Sequence, residues 1–203
     1  MTFGYKSAVI YCLSVGTFMD ANGDGIGDFQ GLVRRLDYLH GLGITAIWLM
    51  PFQPSSGRDD GYDISDYYGV NPRYGTLGDF GEFTHGAHQR GIRVIMDLVV
   101  NHTSDRHPWF REARSSPDSK YRDWYIWSDK KPPHADKGMV FPGVQKSTWS
   151  YDQTARVGIS TDSMTSSPIS TPRTRTSSPR SSRSWASGFS SEWWDSAWTP
   201  YHS

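Results

Sequence analysis

The chain has 203 residues, of which 36% are hydrophobic and 14% aromatic, so it can bury a core and is not the composition of a wholly disordered polymer. Its 21 Lys and Arg balance its 21 Asp and Glu, and no global charge points to nucleic acid or to an acidic membrane surface. No stretch approaches the roughly 18–20 apolar residues of a membrane span.

Near the N-terminus, "AVIYCLSVG" follows Lys6 and imitates a signal peptide in outline. The apolar run is short, however, and leads into an acidic Gly-rich loop without a small-residue cleavage site, so a buried first strand is expected instead. Cys12 is the single cysteine. It excludes an intrachain disulfide, has no metal-ligand spacing and suits a reducing, cytoplasmic compartment, where it is expected as a buried small apolar residue.

Residues 8–13, 46–50 and 94–100 are short runs rich in branched and aromatic residues, and each predicts a fully buried parallel strand. Between the first two, Asp28 can cap a helix with Phe29, Leu32, Val33, Leu36 and Leu39 on one face, stopped by Gly41 and Gly43. Between the second and third, Thr76 and Asp79 predict a capping box for a helix that turns Phe80, Phe83 and Ala87 inward and ends at Gly91. Such alternation predicts an α/β fold, either an open doubly wound sheet or a (βα)8 barrel. From Asn101 to about Asp152 the chain is aromatic and polar with little periodicity, which reads as a long excursion from a strand end. In a barrel the loops after strand C-termini carry the chemistry. "PFQPSSGRDDGYD" and "NHTSDRHPWF" therefore lie where a site would be built.

Three stretches carry candidate chemistry. "DANGDGIGD" spaces Asp20, Asn22, Asp24 and Asp28 around glycines, so that their oxygens and the Ile26 carbonyl could fold around a hard cation. Gly31 stands where an EF-hand needs its bidentate Glu, so this is not an EF-hand; an acidic Asx/Gly turn without an ion is the alternative. "RDDGYDISDYYGVNPRYG" sets carboxylates beside tyrosines, which suits a sugar ring through hydroxyl hydrogen bonds and an aromatic face, although a solvated loop with a structural Tyr would look alike. "DLVVNH" puts Asp97 inside an apolar run, where a charge needs a partner, and puts His102 at a strand end, where it is either structural or functional.

Taken together, "DxNxDGxGD" before a helix, "AIWLMPFQPS", "DDGYDISDYYGVNPRYGTLGDF", "HQRGIRVIMDLVVNHTS" and "HPWF" resemble glycoside hydrolase family 13, the α-amylase family, over about residues 8–155. Within it the chain most resembles trehalose synthases and exo-acting α-glucosidases, with "DWYIWSD" and "STWSYD" leaning toward the former. The resemblance implies the N-terminal part of a (βα)8 TIM barrel over residues 1–100, with residues 101–155 beginning a domain inserted after strand 3. It implies that Asp59 and Tyr62 bind and stack on the sugar at the reaction centre, that His102 contacts the same sugar, and that Asp97 orients an Arg on the next strand. It also implies calcium at Asp20, Asn22, Asp24, Ile26 and Asp28, with Asn101 binding another calcium in some members.

Retaining glycosidases use two carboxyl groups about 5–5.5 Å apart. The resemblance places them on the fourth and fifth strands, and no segment like "GFRMDA" occurs in this sequence, so no residue is assigned as nucleophile or general acid. Instead the composition breaks into "SSPISTPRTRTSSPRSSRSW" at residues 166–185. A family member would continue with a segment like "FHRFYDFQPDLN", and one coding of it read one nucleotide out of phase gives "STDSMTSSPIST", residues 160–171, without a mismatch. The remainder shifts back into an amphipathic helix and a "GFRMDA" segment whose Asp spans the codons of Trp198 and Thr199 and whose Arg spans those of Ser196 and Ala197. A frameshift near Arg156 is inferred. A genuine Ser/Arg/Pro-rich disordered extension is the alternative, and both predict no core and no stable element over residues 156–203.

Three readings follow. The parent is an α-glucoside-processing enzyme of trehalose synthase type, interconverting maltose and trehalose by retaining glucosyl transfer, with an α-glucosidase or oligo-1,6-glucosidase-type hydrolase as the alternative. The second reading is a non-catalytic sugar- or calcium-binding fragment. The third is a truncated product without activity, whose three barrel strands leave an open edge and an apolar interior facing water.

Overall fold

The computed structural model describes residues 5–137, 139, 145–161 and 168, and these belong to one contact unit, Met1–Pro172. In chain order it contains β1 (Ile10–Leu13), the short α1 (Val15–Phe18), α2 (Phe29–Gly41), β2 (Ala46–Leu49), α3 (Leu77–Gln89) and β3 (Arg93–Met96). The three strands are parallel in the order β1-β2-β3, with Cys12 level with Trp48 and Trp48 level with Ile95. This is the α/β alternation expected from the sequence.

Both long helices start where their caps stand. Asp28 Oδ1 accepts from the Gly31 N–H at 2.6 Å. Thr76 and Asp79 close a reciprocal box, the Thr76 hydroxyl accepting from the Asp79 N–H at 3.2 Å and the Asp79 carboxylate from the Thr76 N–H at 2.7 Å. The Thr76 hydroxyl and N–H hold the Asp79 carboxyl below its ordinary range. Left-handed Gly43 and Gly91 follow the helix ends. The apolar stripes of α2 (Phe29, Leu32, Leu36, Leu39) and α3 (Phe80, Phe83, Ala87) are buried against Ile47 and Leu49 of the central strand. Phe29 packs edge-on against Phe52 and Phe80, which stack on each other at 5.0 Å.

The opposite face of the sheet differs from the expectation of fully buried strands. Trp48 is 40% and Ile95 43% exposed, and Cys12, expected to be buried, is also exposed. Among the described residues the long helices pack on the Ile47 and Leu49 face of the sheet, and β1 and β3 are its edges. β3 is also shorter than the 94–100 run. Its last ladder bond runs from the Asp97 N–H to the Leu49 carbonyl, and Pro51 lacks the N–H that would carry the pairing onward.

A second cluster follows β3. α4 (Pro108–Ser115) starts at Pro108 with His107 as its cap, the His107 Nδ1 accepting from the Trp109 N–H at 3.1 Å. This eight-residue helix lies within the stretch that shows little periodicity in sequence. β4 (Trp127–Ser128), β5 (Trp149–Asp152) and β6 (Val157–Ser160) form an antiparallel sheet in the order β4-β6-β5. Phe110, Ala113, Tyr125 and Ile159 make its buried core, with Trp109, Trp124 and Trp127 packed around them. The element-free tail expected from residue 156 is corrected here. β6 is the middle strand of the sheet, Ile159 is 4% exposed, and Thr161 bridges to Pro168. Two flanking strands satisfy its backbone and an aromatic core takes its apolar side chain, neither of which local composition reveals. The rest of the Ser/Arg-rich stretch lies outside the described residues. No helix among the described residues is long and apolar enough to cross a membrane.

Candidate functional site

The loops after β2 and β3 meet at the C-terminal end of the parallel sheet. After β2 the chain turns at residues 59–62, where the Tyr62 N–H donates to the Asp59 carbonyl at 2.7 Å. Asp60 is left-handed (φ 46°), and so is Gly61 (φ 99°), where an added Cβ would sit 2.8 Å from the Pro51 carbonyl oxygen. Only glycine meets both demands. The turn swings Tyr62 across to the end of β3.

There the Tyr62 hydroxyl donates to Asp97 Oδ2 at 2.9 Å. Burial first, and then the hydrogen bond to the Asp97 carboxylate, push the Tyr62 phenol up to about 12. His102 is 8% exposed, and its Nε2 lies 3.1 Å from the Tyr62 carbonyl oxygen. A carbonyl only accepts, so Nε2 carries the proton and Nδ1 faces the Asn101 side-chain amide at 3.4 Å as acceptor. Tyr62, Asp97 and His102 are thus one hydrogen-bonded group. Asp59 stands half-buried on the turn that presents Tyr62.

Sequence reasoning passed over the bonds that hold these loops together. Asp63, 1% exposed, takes the Ser56 N–H at 3.1 Å, the Ser56 hydroxyl and the Arg58 N–H on a single carboxylate oxygen. Arg58 pairs with Asp105 at 3.3 Å, and the Ser104 N–H donates to the Ile64 carbonyl at 2.8 Å. In "RDDGYDISD" nothing distinguishes the buried Asp63 from its neighbours except position.

A cleft of about 720 Å³ opens beside the group, lined by Ser14, Met50, Ser56, Asp60, Arg73 and Tyr74 among others. Tyr62, Asp97 and His102 are not in its wall.

On the loop between α1 and α2, Asp20 accepts the N–H groups of Asn22 at 3.0 Å, Gly23 at 2.7 Å and Gly25 at 2.7 Å. The amides of Gly23 and Gly25 hold its carboxyl below the ordinary range. Asn22 accepts from Asp24, Asp24 from Ile26, and Asp28 from Ala21 and Gly31. Among the described residues no three His, Cys, Asp or Glu side chains converge as a metal centre. The donors on this loop are all hard oxygens, the chemistry a calcium ion requires.

The family described as Alpha-amylase, catalytic domain, matches residues 10–159. The chain is 51% identical over 152 residues to trehalose synthase/amylase TreS of Mycobacterium tuberculosis, covering 75% of this chain and 25% of that protein. It is 53% identical over 152 residues to the trehalose synthase of Thermus thermophilus, covering 75% and 16%, and 48% identical over 157 residues to the oligo-1,6-glucosidase of Heyndrickxia coagulans, covering 76% and 28%. Among solved structures, a MutB mutant in complex with glucose superposes with a TM-score of 0.76 at 43% identity, covering 84% of this chain and 30% of that one. The trehalose-6-phosphate hydrolase TreA of Bacillus licheniformis gives 0.74 at 42%, covering 81% and 30%. The chain thus spans about a quarter of the length of the first of these relatives.

Proposed function

Because the chain belongs to the α-amylase catalytic-domain family, we propose that it carries the sugar-binding side of an α-glucoside-processing site of trehalose synthase type, for substrates such as maltose or trehalose. The observation that carries this reading is the bonded group of Tyr62, Asp97 and His102 at the ends of β2 and β3. Tyr62 offers an aromatic face to the sugar, Asp59 a hydroxyl acceptor and His102 an imidazole, while Asp97 fixes the Tyr62 phenol. The three strands are the first units of a (βα)8 barrel, and residues from Asn101 onward begin the segment inserted after the third. In the parent enzyme a carboxylate would attack the anomeric carbon while a carboxylic acid protonates the departing oxygen, giving a covalent glucosyl intermediate and overall retention. This chain supplies binding contacts, and its 203 residues are expected to give no turnover. The 48% identity to an oligo-1,6-glucosidase favours hydrolysis as the second reading of the parent chemistry.

The oxygens of Asp20, Asn22, Asp24 and Asp28 and the Ile26 carbonyl would hold calcium, with Asn101 a candidate for another. A bound ion would tie the loop to the start of α2. The frameshift is proposed to lie near Arg156, and the end of the family match at residue 159 supports it.

Calorimetry of the purified chain with maltose, with and without calcium, tests the reading. Saturable heat that Asp59→Ala abolishes supports it, and maltose without heat refutes it. Glucose or trehalose formed above an empty-vector control refutes the expectation of no turnover. A calcium-dependent rise in melting temperature that Asp24→Ala removes tests the ion site without recourse to activity.

A further inference from the structure

Tyr67 lies five residues beyond Tyr62 and reaches the turn over residues 99–102 that leads into His102. Its hydroxyl is 2.8 Å from the Val99 carbonyl oxygen and 3.1 Å from that of His102. A phenol has one proton to donate, so the two carbonyls share it. The residues bearing them, Val99 and His102, are each 8% exposed, and their carbonyls accept there in place of solvent. The ring is fixed from the other side, stacked on Trp109 at 5.7 Å and set against His107 at 5.4 Å. Burial pushes the Tyr67 phenol up, so the donor keeps its proton throughout the neutral range. The segment it ties down ends in the imidazole that donates to the Tyr62 carbonyl.

We propose that Tyr67 is the positioning residue for His102: its hydroxyl clamps the 99–102 turn from both ends and so sets where the imidazole points. The clamp itself is independent of any ligand, while its consequence for sugar binding rests on the function proposed above. Tyr67 touches no sugar and acts through His102.

The test must separate the hydroxyl from the ring, because the ring also packs against α4. Exchange of the imidazole C2 hydrogen for deuterium, read by mass spectrometry on the full chain, reports each histidine separately. Exposed His40, His85 and His88 serve as references within the same molecule. In Tyr67→Phe, His102 should exchange at least threefold faster and approach His88, while His107, whose stacking partner is kept, stays as in the parent chain. An unchanged His102 overturns the proposal. If both His102 and His107 accelerate, a variant with 4-aminophenylalanine at position 67 decides: its N–H donor should return His102 to within twofold of the parent, and failure to do so overturns the clamp. Maltose affinity in Tyr67→Phe should fall about three- to tenfold, the share of one hydrogen bond. If the parent chain does not bind maltose, the proposed function falls and the exchange result still decides the clamp.

Discussion

Replacing Tyr62 by Phe keeps the ring and removes one oxygen, so its effect measures the bond to Asp97. That bond spans 2.9 Å and ends on a carboxylate, the kind worth about 1.5–3 kcal/mol. Both side chains are half-buried, and water reaching Asp97 in the variant replaces part of the loss, so about 1–2 kcal/mol is expected. The assay is urea unfolding followed by tryptophan fluorescence for the parent chain, Tyr62→Phe, Asp97→Asn and the double variant. The two single changes should not add, since either one breaks the same bond. The pH dependence gives an independent arm. The phenol titrates at about 12 in the folded chain against an ordinary value of about 10. A raised value means that the unfolded state loses its proton first, so the Tyr62 contribution is whole below about pH 10 and fades as pH rises toward 12. Additive single changes, or a stability gap between parent and Tyr62→Phe that persists undiminished to pH 12, would refute the reasoning.

Leu36→Ala empties a site with no exposed surface, tight enough that a Cβ added at Gly86 would stand 2.8 Å from Leu36 Cδ1, and should cost about 2–5 kcal/mol by urea unfolding. Gly61→Ala should destabilise the chain and abolish maltose heat, because a positive φ and the Pro51 carbonyl both exclude the methyl; a variant with parental calorimetry would contradict the role of this turn. His107 is buried beside Trp109, and burial lowers its imidazole to about 4. Its unfolded form takes a proton first, so its contribution is whole above about pH 6.5 and is lost as pH falls through 4. His107→Gln should therefore flatten the acid limb of the stability profile between those values, and an unaltered acid limb would speak against it.

The caps, the two amphipathic helices and the parallel order of the strands were legible because each rests on signals a few residues apart: Asp28 before Phe29, Thr76 before Asp79, apolar residues one helical turn apart. The family was legible because several motifs occur in order. Other features were hidden for a common reason. The solvent exposure of Cys12 depends on which face of the sheet the helices cover, and Cys12 itself carries no sign of it. β6 lies beyond Arg156, where no stable element was expected, and it is ordered by β4 and β5 on either side. Asp63 looks like any loop carboxylate until three donors are seen converging on one of its oxygens.

By itself the sequence determined the α/β alternation and the helix boundaries, which follow from spacing along the chain, and its ordered motifs carried the resemblance to the α-amylase family. Tertiary structure alone decided that Tyr62 should meet Asp97, that the imidazole of His102 should reach back to the carbonyl of Tyr62, and that Tyr67 should hold the turn between them. Those contacts join residues 32–40 positions apart. Only the folding of two loops onto the end of one sheet closes such distances, and a short-range pattern holds no record of them.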